Sequence, residues 1–454
     1  MPALHPQVPD LPTPTAPQPQ AGLDLLPFPA LRYDPDRVGD LAAVTAPPYD
    51  VIDIPGVLAL EARHPRNVVR LIRPHSADLP PTDPSAPQTS ALPRPGEGCY
   101  AEAAHTLAAW RAEGTLVRDE QPALYVYEQR HGTAVQRGLL GAVPLHSPRD
   151  GVVLPHEDVM PGPVADRLQL MRATRANLEP ILLALQGGER TDAVLTAAVS
   201  RPALLDLTTE DGSRHRLWPL LDPGEQAQVR ADLAGRAALI ADGHHRYATY
   251  RRLQADYHAA GRGPGPWDAG LALLVDTARY PLHVGAIHRS VAGLGLDEAV
   301  VTAREAMRAR WLDGSLDQAL EELVRARRNG PAVLVANRHG QALLSAPDPA
   351  VLDACMPPEH SPRWRSLDAA LTHHVLIDAV WELGDQPRRV GYHHDVPACL
   401  ATAERTDGIA VLLNPVPVQE VLAIAATGER MPRKSTSFAP KPLTGLVMRL
   451  LEES

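Results

Sequence analysis

The residues with the clearest chemical potential form one short segment, in which two histidines and an arginine follow an aspartate and a glycine. Residues 237–241 before it are an unbroken apolar run, typical of a strand covered on both faces, and the glycine supplies a tight turn. Tyrosines and a leucine then recur at spacings of three and four, which predicts a helix. The first amides of a helix have no partner within it and carry the positive end of its dipole. We therefore expect a site for phosphate or another anion, formed by Asp242, Gly243, His244, His245 and Arg246.

Lysine usage gives a second signal. Only two of the 44 basic residues are lysines, and both, Lys434 and Lys441, lie in one short segment. An ammonium group is a compact charge with freely directed donors and a guanidinium is a planar fork, so the retained lysines suggest sites where arginine will not serve. We predict that Lys434 neutralises a phosphate and that this segment folds back onto residues 242–246. Alternatively, both lysines are exposed and the segment leads into an amphipathic helix over residues 443–451. The hydroxyl residues expected to bind the same ligand are Ser435 and Thr436.

Two carboxylates lie on segments that are expected to be loops. Glu157 follows the end of a predicted strand, and Asp50 follows two prolines, which favour extended backbone. We expect Glu157 to act as general base for a substrate hydroxyl, with Asp50 as the second choice. The predicted catalytic set also includes His245 and Lys434. Each carboxylate has a simpler interpretation, because Glu157 could form a solvated pair with its neighbouring histidine and Asp50 could lie in a stiff linker.

The expected cofactor follows from the predicted anion site. It is a nucleotide, ATP or ADP, or pyrophosphate, with Mg²⁺ bridging its oxygens to a carboxylate. Arg175, in a predicted helix over residues 163–176, is expected to contact the phosphate, although a solvated helix face would explain the same charge. His244 and His245 cannot easily share a metal ion, because adjacent helical residues point about 100° apart. No metal site made by the protein alone is predicted, and the histidine pairs at 373–374 and 393–394 are interpreted as structural or surface residues.

Helices and strands alternate around these residues, which indicates a mixed α+β, multidomain fold. Residues 1–21 are rich in proline, glutamine and alanine and are expected to be a disordered extension. Residues 74–98 form a second low-complexity stretch, expected to be an exposed loop. The remainder divides into a main domain over 22–290, which holds the phosphate site, and a smaller C-terminal α+β region over 291–454 that returns to it. The elements predicted for this second region include helices over 296–311 and 316–327 and a strand over 332–336.

Composition narrows the class of protein. The chain has 454 residues, 44% of them hydrophobic, which suffices for two or three domains with a large core. A net charge of −10 argues against a general nucleic-acid binder, since such proteins carry a basic face. Three widely spaced cysteines indicate neither a disulfide framework nor a thiolate zinc site. Without a signal peptide or a long apolar run, we expect a cytoplasmic protein that binds a small-molecule substrate and neither nucleic acid nor membrane. Its oligomeric state is left open.

Residues 242–248 resemble the signature of the ParB and sulfiredoxin-like superfamily, in which a glycine, a polar residue and an arginine open a helix that binds nucleotide phosphates. They match most of the Gly-Cys-His-Arg-Tyr-Ala-Ala-Tyr pattern of sulfiredoxin, but His244 stands where the reactive cysteine would be. Reduction of a sulfinic acid is therefore excluded. The same superfamily includes free serine kinases, which lack that cysteine and use an acidic residue to activate a substrate hydroxyl.

Over nearly its whole length the chain also resembles the bacterial and archaeal family called domain of unknown function 1015. This resemblance implies membership but brings no activity with it. The segments that carry it are residues 31–33, 46–52, 67–71, 154–157, 172–177, 242–246 and 434–436.

Together, these features predict a phosphotransferase that moves phosphate from a nucleotide or a related donor to a small hydroxylated metabolite, for example an amino acid such as serine. Two alternatives stay open, a nucleotide-binding regulator without catalytic activity and a hydrolase of phosphate esters or nucleotides. The expected fold has a ParB/sulfiredoxin-like core and a smaller C-terminal α+β region.

Overall fold

The computed structural model describes residues 22–75, 97–384 and 389–452. The predicted disordered extension, residues 1–21, lies outside the described residues, as does most of the predicted loop over 74–98. The mixed α+β class is confirmed, because long helices pack against two large sheets. Within the described ranges, no helix combines the length and the apolar character needed to cross a bilayer.

An eight-stranded sheet forms the centre of the first part of the chain. Two of its strands, Ala238–Asp242 and Ile181–Leu185, are buried along their whole length, as expected for strands covered on both faces. The first and second strands in the order below run parallel, as do the third and fourth, and the other pairs are antiparallel. In spatial order the strands are Val153–Pro155, Ala238–Asp242, Ile181–Leu185, Ala269–Asp276, Ala134–Pro144, Leu124–His131, Arg214–Leu220 and Leu205–Thr208.

Helices cover this sheet and carry the residues that border the candidate site. Pro161–Thr174 packs against both His244–Ala259, called here the motif helix, and Glu97–Ala112. The other longer helices of this part are Ile54–Arg63, Glu189–Ala198 and Pro223–Leu233.

A six-stranded antiparallel sheet forms the second unit. The predicted division at residue 290 falls inside its strand His288–Val291. In spatial order the strands are Met307–Trp311, Gly340–Pro347, Ala332–Asn337, Ile409–Leu413, His288–Val291 and Val390–His393. Its longer helices are Leu296–Ala303, Leu316–Arg327, the π-helix Leu371–Val380, Val396–Arg405 and Val418–Ala426.

The chain after this second unit returns to the first. Strand Ser437–Ala439 pairs with His283–Gly285, and Arg449–Leu450 pairs with Ala176–Asn177. A single β-bridge also joins Met448 to Leu31, in the short strand Leu31–Tyr33, and this strand pairs with Leu116–Arg118. The C-terminal segment is therefore built into the first unit.

One local prediction is wrong and one alternative does not hold, and in both cases strand pairing replaces part of a helical pattern. The helix predicted over 296–311 ends at Ala303, and Met307–Trp311 is instead an edge strand against Gly340–Pro347. The amphipathic helix considered over 443–451 does not form, since Gly445 has φ +100° and the residues that follow it enter strand pairing. The helix predicted over 316–327 and the strand predicted over 332–336 are confirmed, the strand being one residue longer.

Candidate functional site

A cavity of about 370 Å³ lies where the start of the motif helix meets the returning C-terminal segment. Its volume falls within the range of small-molecule sites, which is about 300–1,000 Å³. The walls come from residues within 49–51, 73–74, 156–167, 241–245 and 434–441, together with Ile287 and His394. The predicted site residues that line it are Asp50, Glu157, Asp242, Gly243, His244, His245, Lys434 and Thr436.

The turn before the motif helix has the geometry that its sequence requires. Asp242 ends the buried strand, and Gly243 follows with φ +93°, a left-handed conformation that favours glycine. A Cβ at this glycine would lie 2.8 Å from Cγ2 of Ile181, so a larger residue would also collide with the neighbouring strand. The helix begins directly afterwards at His244, and its first two residues line the cavity. No side chain caps this helix start.

The two motif histidines hold the loop that carries Glu157. The backbone N–H of His156 donates to Nε2 of His244 (3.3 Å), and that of Met160 donates to Nε2 of His245 (3.1 Å). Burial lowers the pKa of both motif imidazoles, so both are neutral at pH 7 and Nε2 is free to accept. In this structure, His245 therefore uses Nε2 to position the loop.

Glu157 is the partly buried carboxylate at the centre of this arrangement. The hydroxyl of Thr436 donates to its Oε1 (3.3 Å). Burial raises the pKa of Glu157 to about 7, with Lys434 and the hydrogen bond from Thr436 opposing part of that shift. A carboxyl group with this pKa is present in both protonation states near neutral pH, as a general base or acid requires.

His156 ties the C-terminal segment to the same loop. Its Nε2 lies 2.9 Å from Oγ1 of Thr436, and its carbonyl oxygen accepts a hydrogen bond from the N–H of Met431 (2.6 Å). Its ring packs edge-on against His244, with the ring centroids 4.4 Å apart. Burial lowers its pKa to about 3, so this ring is neutral and cannot act as a proton donor at neutral pH.

Lys441 joins two carboxylates of the cavity. Its Nζ lies 2.6 Å from Oδ1 of Asp242 and 3.1 Å from Oδ2 of Asp50. Desolvation alone would raise the pKa of Asp50, but Lys441 and Arg246 outweigh it and lower that pKa to about 2. Burial would lower the pKa of Lys441, yet the two carboxylates raise it. Lys441 and Asp50 are therefore charged at neutral pH, and Asp50 is a poor proton acceptor there.

Arg246 lies beneath the cavity and does not line it. It is 3% exposed, its guanidinium pairs with the carboxylate of Asp242, and it donates to the carbonyl oxygen of Pro180 (2.5 Å). The sequence predicts that this guanidinium contacts phosphate, but in the structure it does not reach the cavity. It pairs instead with Asp242, four residues earlier, because a buried guanidinium is costly without a carboxylate partner. Its place in the structure is to hold Asp242.

Two other predicted residues also lie outside the cavity lining. Arg175 is exposed, with φ 49°, at the C-terminal end of Pro161–Thr174, whereas the start of that helix borders the cavity. Ser435 is buried within the protein, although its neighbours Lys434 and Thr436 both line the cavity.

Sequence reasoning missed two further arginines that line the cavity, Arg167 and Arg73. Arg167 is buried, its guanidinium stacks 4.2 Å from the ring centroid of Tyr49, and it pairs with Asp166 at 2.6 Å. Arg73 donates to the carbonyl oxygen of Ile52 (2.7 Å). A signal for Arg167 was present, since it precedes the apolar pair at 170 and 171 by three and four residues and so shares their buried face.

The fold and site define a mixed α+β protein in which residues 434–441 form part of the wall of a charged cavity. The chain belongs to the family described as protein of unknown function (DUF1015), whose family model matches residues 25–370. Among curated proteins, none matches this sequence.

Several solved structures are distantly similar to this chain. C-terminally truncated SbnI from Staphylococcus aureus is 13% identical, with a TM-score of 0.35, over 68% of this chain and 87% of that chain. A free serine kinase in complex with AMP is 13% identical, with a TM-score of 0.36, over 69% of this chain and 91% of that one. A conserved hypothetical protein from Pyrococcus furiosus is 12% identical, with a TM-score of 0.33, over 66% of this chain and 90% of that one. All three likenesses are distant.

Proposed function

We propose that the cavity binds the phosphates of a nucleotide, ATP or ADP, or of pyrophosphate, and transfers one phosphoryl group to the hydroxyl of a small metabolite. The observation that carries the proposal is the position of Glu157. Its carboxyl group, with a pKa of about 7, shares one cavity with Lys434 and with the start of the motif helix. A base with that pKa beside a site for anions is the combination that phosphoryl transfer to a hydroxyl needs.

The donor phosphates are proposed to lie between the start of the motif helix and Lys434. The first N–H groups of a helix and an ammonium group both favour negative charge, and both are present in this wall of the cavity. The likeness of residues 242–248 to the ParB/sulfiredoxin pattern supports the same placement. Mg²⁺ would bind mainly to phosphate oxygens, since Lys441 already engages Asp50 and Asp242.

The acceptor hydroxyl is proposed to lie against Glu157. As the hydroxyl oxygen attacks phosphorus, its proton passes to the carboxylate of Glu157, and the bond from phosphorus to the leaving-group oxygen breaks. Lys434 then neutralises charge on the transferring group. Asp50, the second choice for the base, acts instead through its bridge with Lys441.

The test begins with the full chain and a thermal-shift screen of ATP, ADP, AMP, pyrophosphate and inorganic phosphate, with and without Mg²⁺. A ligand that binds only the folded state raises the midpoint of unfolding. Donors that bind are then incubated with hydroxylated metabolites, serine first, and phosphorus NMR follows any new ester. Glu157→Gln is expected to bind the donor normally and to lose at least about 100-fold in turnover.

Other outcomes would assign the cavity differently. Binding without turnover under any acceptor would indicate a nucleotide-binding regulator. Release of inorganic phosphate without an acceptor would indicate a hydrolase. Failure of every phosphate compound to shift the unfolding midpoint would overturn the phosphate site itself.

A further inference from the structure

A second cluster of chemically active side chains lies outside this cavity, on the helix Leu371–Val380 of the second unit. This helix is wound as a π-helix, and its winding continues into the next residue, since Trp381 N–H donates to the carbonyl oxygen of Leu376, five residues earlier (2.8 Å). Its other face is packed into the protein through five buried residues. These are Leu371, Thr372, Val375, Leu376 and Ile377.

The π winding brings His373 beside Asp378, two residues that an α-helix would separate. In an α-helix, residues five apart point about 140° away from each other, since each residue turns the chain by about 100°. In a π-helix, bonding between residues five apart brings them to the same side. His373 and Asp378 are five apart, and His374 and Asp378 are four apart, so the carboxylate faces both rings.

The distances agree with this placement. Oδ2 of Asp378 lies 3.6 Å from Nε2 of His373 and 3.9 Å from Nδ1 of His374. All three donor atoms lie within 4.8 Å of one another, and among the described residues this is the one group of three or more such side chains close enough to share an ion. Ligand atoms about 2.0–2.2 Å from a tetrahedral zinc ion are about 3.3–3.6 Å apart. Rotamer adjustments of a few tenths of an ångström to about 1.5 Å would therefore seat an ion.

The chemistry of the donors selects the kind of ion. Two imidazole nitrogens and one carboxylate suit divalent transition metals such as Zn²⁺, whereas Mg²⁺ and Ca²⁺ prefer oxygen ligands. The three side chains are between 25% and 36% exposed, so an ion can enter from solvent and water can complete its coordination.

We propose that His373, His374 and Asp378 form a binding site for one divalent transition-metal ion, with Zn²⁺ as the best match. This site is independent of the proposed phosphoryl transfer, since none of the three residues lines that cavity. The π-helix builds this site, because it brings His373 to the side of the helix that carries His374 and Asp378.

The test uses the full chain stripped of metal with a chelator and then dialysed. Zn²⁺ is titrated by calorimetry in excess Mg²⁺, which occupies oxygen-rich sites, and Co²⁺ is titrated in parallel for its visible absorption. One equivalent of each ion is expected to bind, and Zn²⁺ should raise the unfolding midpoint. Asp378→Asn, which keeps the shape of the side chain, should weaken Zn²⁺ binding at least about 100-fold, as should His374→Ala.

His339→Ala removes an exposed histidine elsewhere in the same unit and is the matched control, with Zn²⁺ binding expected to be unchanged. Circular dichroism of each variant without metal should superimpose on that of the parent, which separates loss of ligand from loss of fold. Equal Zn²⁺ affinity in the parent, Asp378→Asn and His374→Ala would overturn the proposal. So would absence of stoichiometric binding in the parent.

Discussion

The Nζ atom of Lys441 lies 2.6 Å from Oδ1 of Asp242, which ends the strand before the motif helix. This ion pair fastens the C-terminal segment to the turn that opens the helix. Both lysines of the chain therefore lie near residues 242–246. Lys441 contacts Asp242 directly, and Lys434 lines the same cavity as the start of the motif helix.

Removing the ammonium group of Lys441 should leave two carboxylates facing each other. Lys441→Met is expected to reduce the free energy of unfolding by about 1–3 kcal/mol, less than for a fully buried pair because Lys441 retains some exposure. Urea unfolding at pH 7 measures it. Lys434→Met, which leaves this bridge intact, should change stability by less than about 0.5 kcal/mol. Equal losses in both variants would contradict the structural role of the bridge.

Stability should respond to pH through Glu157. The pKa of this group is raised on folding to about 7, so the folded state holds a proton that the unfolded state releases as pH rises above its ordinary value. Its contribution to stability is therefore present at low pH and lost by pH 8. Glu157→Gln should be more stable than the parent by about 1–3 kcal/mol at pH 8, with little difference at pH 4. Chemical denaturation at both values checks this, and a gap that does not widen with pH would refute it.

His156 should act in the opposite direction. Its pKa falls on folding to about 3, so the unfolded state takes up a proton below about pH 6.5 while the folded ring stays neutral. The contribution of His156 to the free energy of unfolding is therefore present above the ordinary histidine pKa and is lost as pH falls. His156→Gln should remove about 2 kcal/mol of the stability lost between pH 7 and pH 5. Unfolding curves at the two pH values give this difference, and an unchanged acid slope would count against it.

The left-handed backbone at Gly243 should tolerate no side chain. Gly243→Ala combines a positive φ with a Cβ that would meet Ile181, and is expected to cost about 1–3 kcal/mol or more. Gly98→Ala is the control, because a Cβ there meets no atom within 4 Å and the residue is helical. That variant should be neutral or stabilised by up to about 1 kcal/mol. Thermal unfolding compares the two, and a neutral Gly243→Ala would disprove the strain.

Lys434 tests the proposed transfer reaction. Lys434→Arg keeps the positive charge but replaces a compact ammonium with a planar group that cannot occupy the same position. We expect turnover to fall at least about tenfold while the dissociation constant for the donor changes less than threefold, about 0.7 kcal/mol or less. Steady-state kinetics and a binding titration on the same preparation separate the two effects. Full turnover in Lys434→Arg would remove this lysine from the chemistry.

Local sequence patterns predicted much of the fold. The strand before the motif, the turn at Gly243 and the helix Leu316–Arg327 follow from nearby residues, because apolar spacing and glycine conformation act over one or two turns. Prediction failed at residues 307–311, and the alternative of a helix over 443–451 does not hold. Met307–Trp311 and Arg449–Leu450 form strands with partners far away in sequence, and the local spacing of apolar residues does not reveal such partners.

For the candidate site, the sequence by itself determined which residue types were available: a carboxylate on a loop, two retained lysines and a histidine pair at a helix start. Tertiary structure alone decided their roles. Burial turned Glu157 into a group that titrates near neutrality, and packing turned Arg246 inward to Asp242. Packing also made Nε2 of His244 and of His245 acceptors for backbone N–H groups of a loop far away in sequence. The π-helix placed the carboxylate of Asp378 near two histidine rings. These outcomes depend on desolvation and on contacts between segments far apart in the chain, which no local pattern contains.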